Sequence, residues 1–224
     1  MNKVRFFSIA AVAASAMLAG CAHKPAAYDY MAFRQANPKT LLVMPPLNDS
    51  PEVKASSSIW AQATLPLAEA GYYVLPVTLV DETFHQNGVD TAYDAQNIPR
   101  EKLRDFFGAD GAVYIKITKY GTTYHVISSD TVVEAEARIV DLRSGALLWE
   151  GKTVASSAEQ GNGGGGVAAL LITAIVKQII NTTTDAAYNY AGIADSRLLG
   201  APHYNGVLAG PRSPAYGKDP ATHE

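Results

Sequence analysis

Residues 132–150 read VVEAEARIVDLRSGALLWE, and the fold can be worked out from this stretch outward. Apolar Val133, Ala135, Ala137 and Ile139 alternate along its first half with charged Glu134, Glu136 and Arg138. A period of two is typical of a half-buried strand. After a turn at residues 143–145 the chain enters a second apolar run, and Gly145 supplies the positive φ that a three-residue turn with a bulge requires. The stretch predicts an antiparallel hairpin.

The chain before this hairpin alternates strands with helices. An apolar run at residues 40–44 stops at Pro45-Pro46 and predicts a buried first strand. A serine cluster at 56–58 predicts the cap of a helix that reaches Gly71, with Pro66 causing a bend or a late start. Residues 72–77 predict a second strand, so the order implies a parallel pair with a right-handed crossover.

Residues 81–98 predict a loop with a turn at Asn87-Gly88. Pro99 then opens a short helix in which Leu103, Phe106 and Phe107 share one face, and Gly108 ends it. Residues 113–118 alternate in the same way as the hairpin. The hairpin therefore gains a third antiparallel strand.

Taken together, these elements predict one α/β (α+β) domain at residues 39–199, built like a three-layer structure around a mixed sheet. Two parallel strands with helical crossovers come first, and the antiparallel three-strand meander and a long C-terminal helix follow. The chain is 48% hydrophobic and 17% charged, which fits a packed core.

The hairpin also resembles a turn found in envelope lipoproteins. Residues 141–149, DLRSGALLW, match the pattern D-x-x-[ST]-G-x-x-[LV]-W of lipoproteins related to the curli secretion channel lipoprotein, which share a domain similar to the TolB amino-terminal domain. Further stretches resemble an uncharacterised outer-membrane lipoprotein family that includes a neisserial vaccine-candidate antigen: LVMPPLNDS (42–50), AGYYVLPV (70–77), GADGAVYI (108–115) and WEG (149–151).

This resemblance implies a TolB-amino-terminal-like fold and outer-membrane attachment. It also implies either a homodimer or a partner among other envelope lipoproteins, such as one similar to the curli channel lipoprotein. It assigns no catalytic residue.

Cys21, the only cysteine in the sequence, follows Leu18-Ala19-Gly20 behind a leader with Lys3 and an apolar stretch at 6–18. The pattern resembles the lipobox of lipoprotein signal peptidase, which implies cleavage after residue 20 and acylation of Cys21. Several acyl chains on one residue make a lasting anchor. The alternative is an ordinary secretory signal with a chance cysteine.

The predicted organisation is a signal peptide at 1–20, a lipidated N-terminus and tether at 21–38, the domain at 39–199 and a Gly/Pro-rich tail at 200–224. The tail is either extended and partly docked or disordered. By resemblance to other lipoproteins, alanine at residue 22 favours transport to the outer membrane. The sequence does not indicate which face of that membrane the protein occupies. Without residues 1–20 the chain has 16 basic and 21 acidic residues, a formal balance of −5, which argues against nucleic acid or anionic lipid headgroups as partners.

A glycine-rich stretch at 161–166 precedes the predicted C-terminal helix, 167–190. The Lys-Ser or Lys-Thr of a phosphate-binding loop does not follow, so we expect a hinge and no cofactor. The helix begins with ten uncharged residues and is apolar nearly all round. It is predicted either to be buried or to form an interface through Leu171, Ile172, Ile175 and Ile179.

The sequence offers little catalytic chemistry. Its five histidines lack metal-ligand spacing, and H-E-x-x-H, C-x-x-C and G-x-S-x-G are missing. Glu134 and Glu136 could act as an acid/base pair, but Lys116 and Arg138 as neighbours favour a charge-paired sheet face. We therefore expect no metal site and no enzymatic activity.

Two classes of function remain open. The first is a lipid-anchored, non-catalytic structural or assembly component that contacts other envelope proteins through the 167–190 helix or the tail. The second is a small-ligand-binding protein or envelope hydrolase with a site in the 81–98 loop. Its candidate residues are Asp81, Glu82, His85 and Tyr93, near the carboxyl ends of the parallel strands, where open sheets bind ligands.

Overall fold

The computed structural model describes residues 26–124, 129–161 and 186–218. Its helices are α1 (Met31–Ala36), α2 (Ala55–Glu69), α3 (Val77–Gln86), α4 (Ala92–Gln96), α5 (Arg100–Phe107) and α6 (Ala186–Leu199), with a 3-10 turn at Ser157–Gly161. Its strands are β1 (Thr40–Val43), β2 (Leu47–Asn48), β3 (Tyr73–Val74), β4 (Gly111–Tyr124), β5 (Ser129–Asp141) and β6 (Leu147–Ser156).

The strands form one mixed six-stranded sheet in the order β3-β1-β4-β5-β6, with β2 also paired to β4. β1 is parallel to both β3 and β4, and β4, β5 and β6 are antiparallel. The predicted α/β class, with parallel strands followed by an antiparallel meander and a C-terminal helix, is confirmed.

Each face of the sheet has its own apolar core. The larger core packs Val113, Ile139 and Trp149 against α1, α2 and α6. The smaller core packs Leu42 and Met44 against α3, α4 and α5. The predicted alternation of the hairpin is confirmed, because Val133, Ala135, Ala137 and Ile139 are all buried.

The hairpin turn explains the local motif. The buried Asp141 accepts hydrogen bonds at Oδ2 from the backbone N–H of Ser144 at 2.8 Å and from its hydroxyl at 2.6 Å. Gly145 has φ 79°, and its N–H donates to the Asp141 carbonyl at 2.8 Å. The side chain of Asp141 thus closes the turn that leads into β6.

The prediction of a loop at 81–98 is wrong. The second strand ends at Val74 and α3 begins at Val77, directly after Pro76. Val80 and Phe84 recur at helical spacing and are buried in the smaller core, so a helix covers the sheet here. Helix α4 occupies five of the remaining residues and is capped by the Thr91 hydroxyl, which accepts from the Asp94 N–H at 3.0 Å. The predicted turn at Asn87-Gly88 is present between the two helices.

Two further helix predictions need correction. The serines at 56–58 lie inside α2 and do not cap it: Ser57 donates to the Lys54 carbonyl, and Ser56 donates to the Pro46 carbonyl in the preceding loop. Helix α2 continues through Pro66 to Glu69. Helix α5 has the predicted ends, but Phe106 is 65% exposed and does not share the buried face of Leu103.

Both ends of the described chain are packed on the domain. The described part of the predicted tether, 26–38, includes α1, and Tyr30 and Phe33 are buried in the larger core. The described tail is docked, with Val207 and Leu208 in the same core. The C-terminal helix extends to Leu199, nine residues beyond its predicted end.

Several predicted features lie outside the described residues. They are Cys21, the greater part of the glycine-rich stretch and the candidate interface residues Leu171, Ile172, Ile175 and Ile179.

Candidate functional site

Three of the four residues predicted for a ligand site lie on α3. Asp81, Glu82 and His85 share its exposed side, and Asp90 follows the helix. His85 Nδ1 lies 2.9 Å from Asp90 Oδ1, and His85 Nε2 lies 3.4 Å from Asp81 Oδ1. Tyr93 lies on α4, 69% exposed, and takes no part in these contacts. The structure therefore brings together Asp81 and His85 and adds Asp90, which sequence reasoning missed.

The electrostatics of this cluster are those of a solvated helix face. The hydrogen bond with Asp90 is the main cause that raises the pKa of His85, and the charge of Asp81 adds to it. The side chains of His85 and Asp81 are each 49% exposed. Because water surrounds both partners, the pairs contribute little energy and form no enclosed site.

A groove runs along the opposite flank of α3, between this helix, α5 and the edge strand β3. It consists of two adjoining cavities of about 360 and 410 Å³, which share Thr83 and Phe107 in their walls. Phe107 packs edge-on against Phe84 and Phe106, with ring centroids 5.3 Å apart in each pair. The walls are mainly apolar, and Lys102 contributes a positive charge at one side. We call this feature the α3–α5 groove.

Large apolar side chains stand exposed along the α3–α5 groove. Leu79 is 64% exposed, Phe106 65% and Tyr73 49%. The sequence contains one signal for this surface. Phe106 and Phe107 are adjacent, and neighbouring side chains on a helix project about 100° apart, so the two rings cannot both point into the core. Leu79 lies between the predicted second strand and the predicted loop, where the sequence gives no signal for it.

The outward face of the antiparallel strands forms a second, polar concavity of about 580 Å³. Its walls include Tyr114, Lys116, Glu136, Arg138, Glu150 and Lys152. The Arg138 guanidinium lies over the Tyr114 ring at 5.0 Å, and Lys116 pairs with Asp49 at 2.8 Å.

Glu134 on β5 is charge-paired, as predicted, although its partner is neither Lys116 nor Arg138. Glu134 pairs with Lys119 at 2.8 Å, and this hydrogen bond is the main cause that lowers the pKa of Glu134. The lowered pKa makes Glu134 a poorer general acid.

Within residues 26–124, 129–161 and 186–218, no three His, Cys, Asp or Glu side chains come together in a way that could hold a metal ion. In the same parts of the chain, no helix has both the length and the apolar character needed to cross a membrane.

Comparison with known proteins places the chain in a family. The model of the family described as "Putative lipoprotein GNA1162-like" matches residues 28–212. A Neisseria meningitidis serogroup B protein named "Putative lipoprotein NMB1124/NMB1162" is 42% identical over 207 residues, 91% of this chain and 95% of that protein.

A solved structure of a relative agrees on the fold. The crystal structure of lipoprotein GNA1162 from Neisseria meningitidis has 44% identity and a TM-score of 0.53, and the match covers 65% of this chain and 100% of that one. The PelC dodecamer from Paraburkholderia phytofirmans has 12% identity and a TM-score of 0.38, covering 53% of this chain and 72% of that one, a likeness too weak to carry an argument. On the family match and the 42% identity, the chain belongs to the GNA1162-like lipoprotein family.

Proposed function

We propose that this protein is held at the outer membrane by acyl chains on Cys21 and acts there as a non-catalytic assembly component. The α3–α5 groove, where Leu79, Phe106 and Tyr73 are exposed, supports the role as an assembly component. Soluble domains seldom expose contiguous apolar surface unless it contacts a partner, and aromatic residues are enriched at such contacts.

The charges beside the groove indicate the chemistry of the partner. Lys102 is the charged residue in the groove wall, whereas Asp81 and Glu82 lie on the opposite flank of α3. An apolar segment of another envelope protein with an acidic residue at its flank would match the groove. The partners we propose are other envelope lipoproteins, including one similar to the curli channel lipoprotein.

The test is site-specific photo-crosslinking in cells, followed by mass spectrometry. A photoreactive residue replaces Phe106 in the groove or, as a matched control, Val53, which is 91% exposed in another part of the surface. We expect Phe106 to give an adduct with an envelope protein and Val53 to give none. Equal adducts from both positions, or no adduct from Phe106, would refute the groove as an interface, and a self-adduct would replace the proposed partner by a homodimer.

The anchor has its own test. Cys21→Ser removes the thiol that would carry the diacylglycerol, so we expect loss of lipid attachment and of leader cleavage. Intact mass of the purified protein measures both effects. A Cys21→Ser protein that is processed normally and stays in the membrane fraction would contradict the lipid anchor.

A small apolar ligand is a second candidate occupant, because the part of the groove near Phe84 and Phe107 measures about 360 Å³, within the range of ligand pockets. Saturable stabilisation of the purified protein by an apolar probe, lost in Phe107→Ser, would favour ligand binding.

A further inference from the structure

The described chain begins very close to the proposed anchor. Ala26 is five residues after Cys21, and a fully extended chain of that length spans at most about 18 Å. Whatever path residues 22–25 take, the lipid-bearing residue cannot lie farther than this from Ala26. The domain therefore cannot stand well clear of the bilayer.

Ala26 is itself tied to the core. Its carbonyl accepts a hydrogen bond from Asn205 Nδ2 at 2.8 Å, and the Tyr28 N–H donates to Asn205 Oδ1 at 2.9 Å. The Asn205 carbonyl in turn accepts from Trp149 Nε1 at 3.0 Å, and Trp149 is 2% exposed. A series of hydrogen bonds thus runs from the start of the described chain to Trp149 in the larger core.

The surface around this point suits a lipid interface. Ala26 and Ala27 are exposed, His203 is exposed, and Tyr28 and Tyr204 are half-buried. Residues 200–210 include no Lys, Arg, Asp or Glu. Tyrosine combines an apolar ring with a polar hydroxyl and is enriched where a membrane meets water. We call Ala26, Ala27, Tyr28, His203 and Tyr204 the anchor-side patch.

We propose that the anchor-side patch rests against the lipid headgroups and sets the orientation of the domain on the membrane. This inference rests on the proposed lipidation of Cys21. Trp149, beside the patch, pairs with Ile139 on β5, and the far end of β5 at Ser129 lies ten residues away, about 33 Å along the strand. The far ends of β4 and β5, at Thr123 and Asp130, therefore lie away from the patch.

The experiment uses lipidated protein in vesicles of phosphatidylethanolamine and phosphatidylglycerol that contain a headgroup-linked nitroxide quencher. Because the only native cysteine is the proposed acylated one, a fluorophore can be placed on a single introduced cysteine. His203→Cys reports on the patch, and Thr123→Cys, near the end of β4, is the distal control. A Gly/Ser insertion of about ten residues between Lys24 and Pro25 keeps the anchor but frees the domain.

We expect at least two-fold stronger quenching at His203→Cys than at Thr123→Cys, and we expect the insertion to abolish the difference. Equal quenching at the two positions, or a difference unchanged by the insertion, would overturn the orientation and leave the anchor standing. A wild-type protein that carries no lipid and does not associate with the vesicles would overturn the proposed anchor and the orientation together.

Discussion

Asp195 is a buried carboxylic acid in the middle of α6. It is 1% exposed, and among the described residues neither of its side-chain oxygens has a hydrogen-bond partner. Burial raises the pKa of Asp195 well above its ordinary value. An ionised carboxylate without a partner is costly in a core, so the folded state favours the protonated acid.

The replacement Asp195→Asn tests this. Because the folded-state pKa of Asp195 is above that of the unfolded chain, the stability that Asp195 contributes is fully present below about pH 4 and is lost as the pH rises through the folded-state pKa. The amide that replaces the carboxyl group does not titrate. At pH 8 the free energy of unfolding of the variant should therefore exceed that of the wild type by about 1 kcal/mol or more, and this difference should disappear on acidification. Urea unfolding at several pH values measures this difference.

The control for Asp195→Asn is Asp49→Asn, at an exposed pair with Lys116 whose partners are 48% and 56% exposed. We expect Asp49→Asn to change the free energy of unfolding by less than about 1 kcal/mol at every pH. A gap for Asp195→Asn that stays constant from pH 4 to pH 8 would show that residue 195 does not titrate with folding.

At the scale of elements, the C-terminal tail is held against the end of α2 by close backbone contact. Gly71 has φ 99°, and a Cβ atom there would lie 2.4 Å from Ser213 N and 2.9 Å from the Gly210 carbonyl oxygen. The Gly210 N–H donates to the Ala70 carbonyl at 2.7 Å. The tail therefore docks only where residue 71 has no side chain.

Gly71→Ala should displace the tail, whereas Gly88→Ala is the matched control. Both glycines have positive φ, but a Cβ at Gly88 would meet nothing within 4 Å. We expect Gly88→Ala to cost about 1 kcal/mol from backbone strain alone and Gly71→Ala to cost clearly more. Limited proteolysis should also cut the tail faster only in Gly71→Ala, and equal effects of the two changes would refute the close-contact argument.

At the scale of the whole molecule, the two ends of the described chain join each other. The Tyr30 hydroxyl donates to the Gly206 carbonyl at 2.5 Å, and the Tyr72 hydroxyl donates to the Leu208 carbonyl at 2.6 Å. The Tyr216 hydroxyl also donates to Asn37 Oδ1 at 2.9 Å. The tail thus packs on the same core as the segment that leads to the proposed anchor and is hydrogen-bonded to that segment.

A chain that ends at Leu199 should have a free energy of unfolding lower by several kcal/mol. Val207 and Leu208 no longer pack in the core, and the hydroxyls of Tyr30 and Tyr72 lose the tail carbonyls that accept their hydrogen bonds. A chain that ends at Arg212 keeps these contacts and should lose about 1 kcal/mol or less. Thermal unfolding of the two truncated proteins measures the difference. Equal melting temperatures would show that the tail packing contributes nothing to stability.

The candidate site illustrates how far sequence reasoning reaches. The sequence prediction places Asp81, Glu82 and His85 on a loop, whereas the structure places them on α3. Val80 and Phe84 are only two apolar residues at helical spacing, which is too few to distinguish a short helix from irregular chain. The α3–α5 groove escapes prediction, since the exposure of Leu79 and Phe106 depends on how far α3 and α5 stand apart on the sheet.

The sequence by itself determined the β5–β6 hairpin, the ends of α5 and the resemblance to envelope lipoproteins, because alternation, Pro99, Gly108 and the Asp141-to-Gly145 turn act over a few residues. Only the tertiary structure decided that the chain ends dock and that Asp195 is buried. Contacts such as Tyr30 with Gly206 join residues 176 positions apart. No local pattern records such a contact, because its energy exists only once the core has assembled.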